Sequence, residues 1–155
     1  MTKVLVTMVG HQPLPSLLAI RYLMPEKVIF LYSTTQDVKR RKEYLAQLVP
    51  AGTEEILIPR PIDPWDIGYI PQFLPNFLRR KKLDGAELLF DLTGGTKAMS
   101  IGLAEAARLL NGVQLIYLES ERFETMLSRY HHDEQGHLIC DGSEQLPELL
   151  DLDSF

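Results

Sequence analysis

The chain has 155 residues, 45% hydrophobic and 24% charged, the composition of one ordinary globular domain long enough to bury a core. Its formal net charge of −5 excludes general attraction to long DNA or RNA but leaves room for a local patch that takes a small anion. A lone cysteine, Cys140, excludes a disulfide framework within the chain and is expected on a half-buried strand. At the start, Met1-Thr2-Lys3-Val4 lacks the apolar core of a signal peptide, and no apolar run reaches membrane-spanning length. A soluble cytoplasmic protein with no membrane partner is expected.

Lys3 to Val9 is a β-branched run of the kind that forms strands buried on both faces of a parallel sheet. Gly10-His11-Gln12-Pro13 breaks it, and Ser16 to Leu23 supplies a short apolar helix that ends before Pro25. Lys27 to Tyr32 is a second strand, closed by Ser33-Thr34-Thr35, whose hydroxyls suit the start of a helix over about Gln36 to Leu48. The basic run Lys39 to Lys42 on that helix reads as its solvated face. Glu55 to Pro59 is a third, edge-like strand.

Asp63-Pro64-Trp65 has the form of a helix start, with Asp63 as cap, followed by one broken helix or two short ones because Pro71 and Pro75 intervene. Trp65, Tyr69, Phe73 and Phe77 recur every four residues, a stripe that belongs to a core or a subunit contact more often than to a base-stacking surface. Ala86 to Asp91 is a fourth strand. An alanine- and leucine-rich helix follows it, ending near Asn111-Gly112, and Val113 to Leu118 is a fifth strand. Glu121 to Tyr130 and His137 to Cys140 then flank the turn-like Asp133-Glu134-Gln135-Gly136 as an antiparallel hairpin. The expected fold is therefore α/β: a Rossmann-like, open, mostly parallel sheet with helices on both faces and a C-terminal antiparallel hairpin. One domain spans residues 1–142, and residues 143–155 form an acidic tail or linker.

Between the fourth strand and its helix lies Asp91-Leu92-Thr93-Gly94-Gly95-Thr96-Lys97. A strand, a glycine turn and a helix opening point free backbone N–H groups at an anion. Thr93 and Thr96 add hydroxyls, and Lys97 adds a positive charge where the helix's own dipole disfavours one. A tight turn with a solvated lysine fits the same residues, and the stretch alone favours neither reading. If the first and fourth strands are neighbours, the sheet reverses its order between them, and Gly10-His11-Gln12-Pro13 shares a rim with Thr93 to Lys97.

Several familiar chemistries do not fit. Gly94-Gly95-Thr96-Lys97 lacks the spacing of a Walker A loop, and Gly10 opens no G-x-G-x-x-G fingerprint. His131, His132 and His137 beside a turn, among Asp133 and Glu134, read first as surface histidines with a weak metal site as the alternative, and no metal is expected. Asp91, at the end of a buried strand, is expected to bond the amides of the following loop.

Taken together, Val4 to Pro13 and Asp91 to Met99 resemble the CARF family, the CRISPR-associated Rossmann-fold domains, and most closely the branch fused to a restriction-type nuclease domain. Asp-Leu-Thr-Gly-Gly-Thr-Lys at residues 91–97 carries most of the resemblance, with Gly10-His11-Gln12-Pro13 as looser support. The resemblance covers residues 1–142. It implies a homodimer that binds a cyclic oligoadenylate, most often the tetra-adenylate, across its two-fold axis, as a messenger of type III CRISPR defence. By position, Thr93, Gly94, Gly95, Thr96 and Lys97 would hold phosphates and ribose hydroxyls, and Gly10, His11 and Gln12 would line the opposite wall. Met99 would form an apolar floor, and Ser33 and Thr34 would reach the adenines.

Relatives in that branch carry a nuclease domain, which this chain lacks. A stand-alone, metal-independent ring nuclease without cofactor is expected, with Lys97, Thr96 and His11 as its catalytic residues. The alternatives are a sensor acting through a separate effector partner and a sensory domain excised from a longer effector.

Overall fold

A computed structural model describes residues 1–10, 13–121 and 124–147. Among the described residues, seven strands and four helices follow in the order β1 (Lys3–Met8), α1 (Leu14–Leu23), β2 (Lys27–Leu31), α2 (Gln36–Gln47), β3 (Glu54–Glu55), α3 (Tyr69–Arg80), β4 (Glu87–Asp91), α4 (Lys97–Arg108), β5 (Gln114–Glu121), β6 (Glu124–His132) and β7 (Leu138–Gln145). They form one sheet in the order β3-β2-β1-β4-β5-β6-β7. Strands β3 to β5 in that order pair in parallel, and β6 and β7 are antiparallel additions. The chain grows outward from β1 first in one direction and then, from β4, in the other. The order therefore reverses between β1 and β4, where Thr7 lies opposite Asp91.

Alternation along the strands divides the core in two. Val4, Val6 and Met8 of β1 join Leu88 and Phe90 against α3 and α4, where Leu74, Leu78, Met99 and Leu103 are buried. Leu5 joins Val28, Phe30, Leu89 and Ile116 against α1 and α2, through Leu17, Ile20, Val38 and Leu45. Successive strand residues point to opposite faces, so a run with no polar interruption must be covered on both. The expected doubly covered sheet is what forms.

The third strand is shorter than expected. Only Glu54–Glu55 pairs with β2, and after Ile56 donates to the Val28 carbonyl at 2.8 Å the chain leaves the ladder. Pro59 and Pro61 cannot donate to it, and contact resumes only as an isolated bridge between Ser33 and Ile62.

The expected helix start at Asp63-Pro64 is also corrected. Asp63 Oδ1 accepts from the Trp65 amide at 3.0 Å and Asp66 Oδ1 from the Gly68 amide at 2.9 Å, two local turns before α3 begins at Tyr69. A helix starting at Pro64 would hold Pro71 in its interior, where a donor is needed; starting at Tyr69 puts Pro71 in the first turn, where none is. Pro75 lies inside this single helix. Tyr69, Phe73 and Phe77 stack along it at centroid distances of 6.3 and 5.3 Å, whereas Trp65 stands outside the core.

The C-terminal hairpin is longer than expected. Glu121 closes β5, β6 runs to His132, and Asp133 to Gly136 make the turn. Cys140 lies on β7 but is exposed, because that outermost strand has no layer over it. Ser143 to Gln145 complete β7 and Leu146 is buried in the core, while residues 148–155 lie outside the described residues. Among the described residues, no helix is long and apolar enough to cross a membrane.

Candidate functional site

The site lies where β1 and β4 end side by side. Two glycine-bearing loops leave these strands and press against each other, main chain on main chain. A Cβ on Gly94 would lie 2.2 Å from the Met8 carbonyl oxygen, and one on Gly10 would lie 3.0 Å from the Gly95 nitrogen. Glycine is needed here so that two backbones can touch. Gly95 adopts φ +76°, a conformation that L side chains rarely take, and its α-carbon faces Met8 and Met99. Met99 is buried directly beneath, so it supports the loop from below.

Thr96 caps α4, its Oγ1 accepting from the Met99 amide at 3.1 Å while its proton goes to the Pro64 carbonyl. Thr93 Oγ1 accepts from the Leu118 amide at 2.8 Å. Both hydroxyls are thus turned toward the protein. The main chain of the loop is left with free donors: among the described residues, the Gly94, Gly95 and Thr96 amides have no acceptor. Lys97 follows at the first position of α4, exposed and without an ion-pair partner among the described residues. N–H groups without acceptors among the described residues, the positive end of a helix dipole and an exposed ammonium are the groups from which a local anion site can be built on a net acidic protein.

The loop rests on a buried polar cluster. Asp91 is wholly buried; its Oδ1 accepts from the Thr93 amide and its Oδ2 from the Thr7 hydroxyl, both at 3.0 Å. Thr7 in turn meets Ser16 of α1 at 2.9 Å, and Ser16 donates to the Met8 carbonyl at 3.3 Å. Burial pushes the Asp91 carboxyl up from its ordinary value, against the pull of its Thr93 and Thr7 hydrogen bonds. Asp91 therefore bonds the following loop as expected. Its link through Thr7 to α1 was not legible, because nothing in a strand's sequence says which helix residue will cover it.

Of the other residues singled out, His11 and Gln12 lie outside the described residues. Gly10 stands at the rim. Ser33 is only 5% exposed and bonds Thr35 at 3.1 Å, while Thr34 is exposed. The histidines near the hairpin turn pair with carboxylates: His131 Nδ1 lies 2.8 Å from Asp141 and His137 Nδ1 3.4 Å from Asp133. Among the described residues, no three His, Cys, Asp or Glu side chains are grouped to hold a metal ion.

Solved structures share this fold. Can2 from Sulfobacillus thermosulfidooxidans, in complex with cyclic tetra-adenylate, is similar over 96% of this chain with a TM-score of 0.65 and 19% identity. A type III CRISPR defence DNA nuclease activated by cyclic oligoadenylate is similar over 89%, with a TM-score of 0.61 and 20% identity. Protein VC1899 from Vibrio cholerae is similar over 79%, with a TM-score of 0.57 and 16% identity. This chain spans 37%, 20% and 32% of those chains, respectively. At such identities the likeness is one of fold. No curated protein matches the chain. The Card1 CARF domain model matches residues 4–140, from β1 into β7 and across both loops of the rim, and the chain belongs to that family.

Proposed function

We propose that this rim binds a cyclic oligoadenylate, the tetra-adenylate in the first instance, as part of type III CRISPR defence. The observation that carries the reading is the run of Gly94, Gly95 and Thr96 amides beside Lys97, all without a partner among the described residues, at the point where the sheet reverses. Support comes from the family, and from the cyclic tetra-adenylate held by Can2, a protein of the same fold. A ring with two-fold symmetry suits two copies of the chain related by an isologous contact, each presenting the same loop to half of it.

The proposed activity is cleavage of the ring without a metal. A ribose 2′-oxygen attacks its adjacent phosphorus in line, the 5′-oxygen leaves, and a 2′,3′-cyclic phosphate remains. The proton lost by the 2′-hydroxyl is balanced by one gained at the leaving oxygen. The protein's part is to hold that alignment and to stabilise charge growing on the phosphoryl oxygens. The loop amides and Lys97 do this. The Thr96 contribution is its main-chain N–H and its cap on the helix, since its hydroxyl proton is engaged by Pro64. His11 is the proposed proton carrier.

The second reading is a binding module whose occupancy is read by a separate effector or a further domain. It is favoured by one observation: the similar chains are much longer than the part this chain covers. One incubation decides between the two. With cyclic tetra-adenylate and excess chelator, chromatography is expected to show linear products ending in a cyclic phosphate. Intact but retained ring would leave only the binding module, and a ring that is neither cut nor retained would overturn the assignment.

A further inference from the structure

The loop between β3 and α3 carries a side chain that the cradle as described does not use. Trp65 is the only tryptophan of the chain and, at 79% exposed, the most exposed aromatic among the described residues; Tyr117 and Tyr44 follow at 44% and 41%. Single exposed apolar residues are ordinary. What distinguishes Trp65 is how firmly its backbone is held and by what.

Its own amide is bonded by Asp63, and the next turn is closed by Asp66. Immediately before it, the Pro64 carbonyl accepts from Thr96, the cap of the cradle's helix. Two residues after it, the Ile67 carbonyl seats on α4 so closely that a Cβ on Gly102 would lie 2.7 Å away. The loop is thus fastened on both sides of Trp65 to the first turns of α4, whose N-terminus is the anion site. A loop whose backbone is already held in place has less freedom to lose on binding.

We propose that Trp65 is a stacking platform for an adenine of the bound ring, an inference that rests on the cyclic oligoadenylate reading of the rim. The division of chemistry supports it. Every unpartnered donor at the cradle suits phosphate, which leaves the bases, whose flat faces are apolar, without a surface. Bases project away from the phosphates that anchor them, and Trp65 lies on a loop fastened to the helix whose N-terminus belongs to the cradle. The fastened loop supplies an exposed indole one residue from Pro64, whose carbonyl meets that helix cap. Stacking of this kind tolerates sequence and adds affinity for each base engaged.

The lone tryptophan is its own reporter. Titrating the full chain with cyclic tetra-adenylate is expected to change Trp65 fluorescence along the same curve that calorimetry gives for binding. Trp65→Ala is expected to fold, as its circular dichroism and melting would check, and to bind roughly 5- to 150-fold more weakly. Trp65→Phe should keep most of the affinity. Calorimetric binding with unchanged affinity in Trp65→Ala and a silent tryptophan would overturn the stacking inference while leaving the cradle standing. No calorimetric binding by the wild type would overturn the cradle itself. A loss in Trp65→Ala matched by weaker self-association in sedimentation, and recovered at higher protein concentration, would make Trp65 a subunit contact and overturn the inference.

Discussion

Asp91 bonds the Thr93 amide from below and is sealed from water. Burial is the largest influence on it and raises its carboxyl from the ordinary 3.8; the hydrogen bonds from Thr93 and Thr7 act in the opposite sense without cancelling it. A carboxyl that holds its proton more tightly in the fold than in the unfolded chain stabilises the fold fully below the unfolded value. That contribution is lost as pH rises toward the folded value. Asp91→Asn cannot ionise, keeps an oxygen for the Thr93 amide and offers an N–H to Thr7. Relative to wild type, its unfolding free energy is expected to improve as pH rises above about 4, the ordinary carboxylate value. Urea denaturation of both proteins across that range measures the difference. A flat difference, or one that grows against the variant as pH rises, would show that Asp91 is ionised in the fold.

The elements that build the site meet through glycine. Gly94 lets the β4–α4 loop lie on the end of β1, with no room for a methyl group against the Met8 carbonyl. Gly94→Ala must move one backbone away from the other, and overpacking of this kind costs about 1–3 kcal/mol. It is expected to lower the melting temperature and to weaken ligand binding together. Gly85→Ala is the matched control, because a Cβ there meets open space; it is expected to stay within about 0.5 kcal/mol of wild type. If the two variants melted alike, the close loop contact would be wrong. The same contact explains the limits of the sequence reading: Gly94-Gly95 marked a turn, but the partner of that turn lies more than eighty residues away, at Met8 and Gly10.

At the scale of the whole molecule, one chain offers one loop of amides and one Lys97. A ring of phosphates with two-fold symmetry presents the same face twice, so the proposed assembly has two chains and one ring. Calorimetry is expected to give one ring per two chains, and sedimentation is expected to show ligand favouring the dimer. A complex of one ring with one chain would overturn that assembly. The hairpin β6–β7 adds two strands beyond β5. It is tied to α1 by the Glu144 carboxylate, which accepts from Tyr22 and pairs with Arg129 at 2.6 Å.

Much of this architecture was legible because it depends on local physics. Apolar runs of strand length, the 3.6-residue rhythm of the helices and the punctuation by Gly and Pro set the α/β alternation. Asp91 to Lys97 could be read as a glycine turn opening a helix for the same reason. Tertiary structure alone decided where side chains with two options would turn. Thr93 and Thr96 looked like ligand contacts, but their hydroxyls satisfy the Leu118 amide and the Pro64 carbonyl, groups that no local pattern brings near. Trp65 looked like one step of a core stripe and stands exposed, because Pro71 delays α3 to Tyr69 and takes residue 65 off the helix. Periodicity names the elements; the long-range hydrogen bonds and backbone contacts that assign each polar group its partner exist only once the sheet has formed.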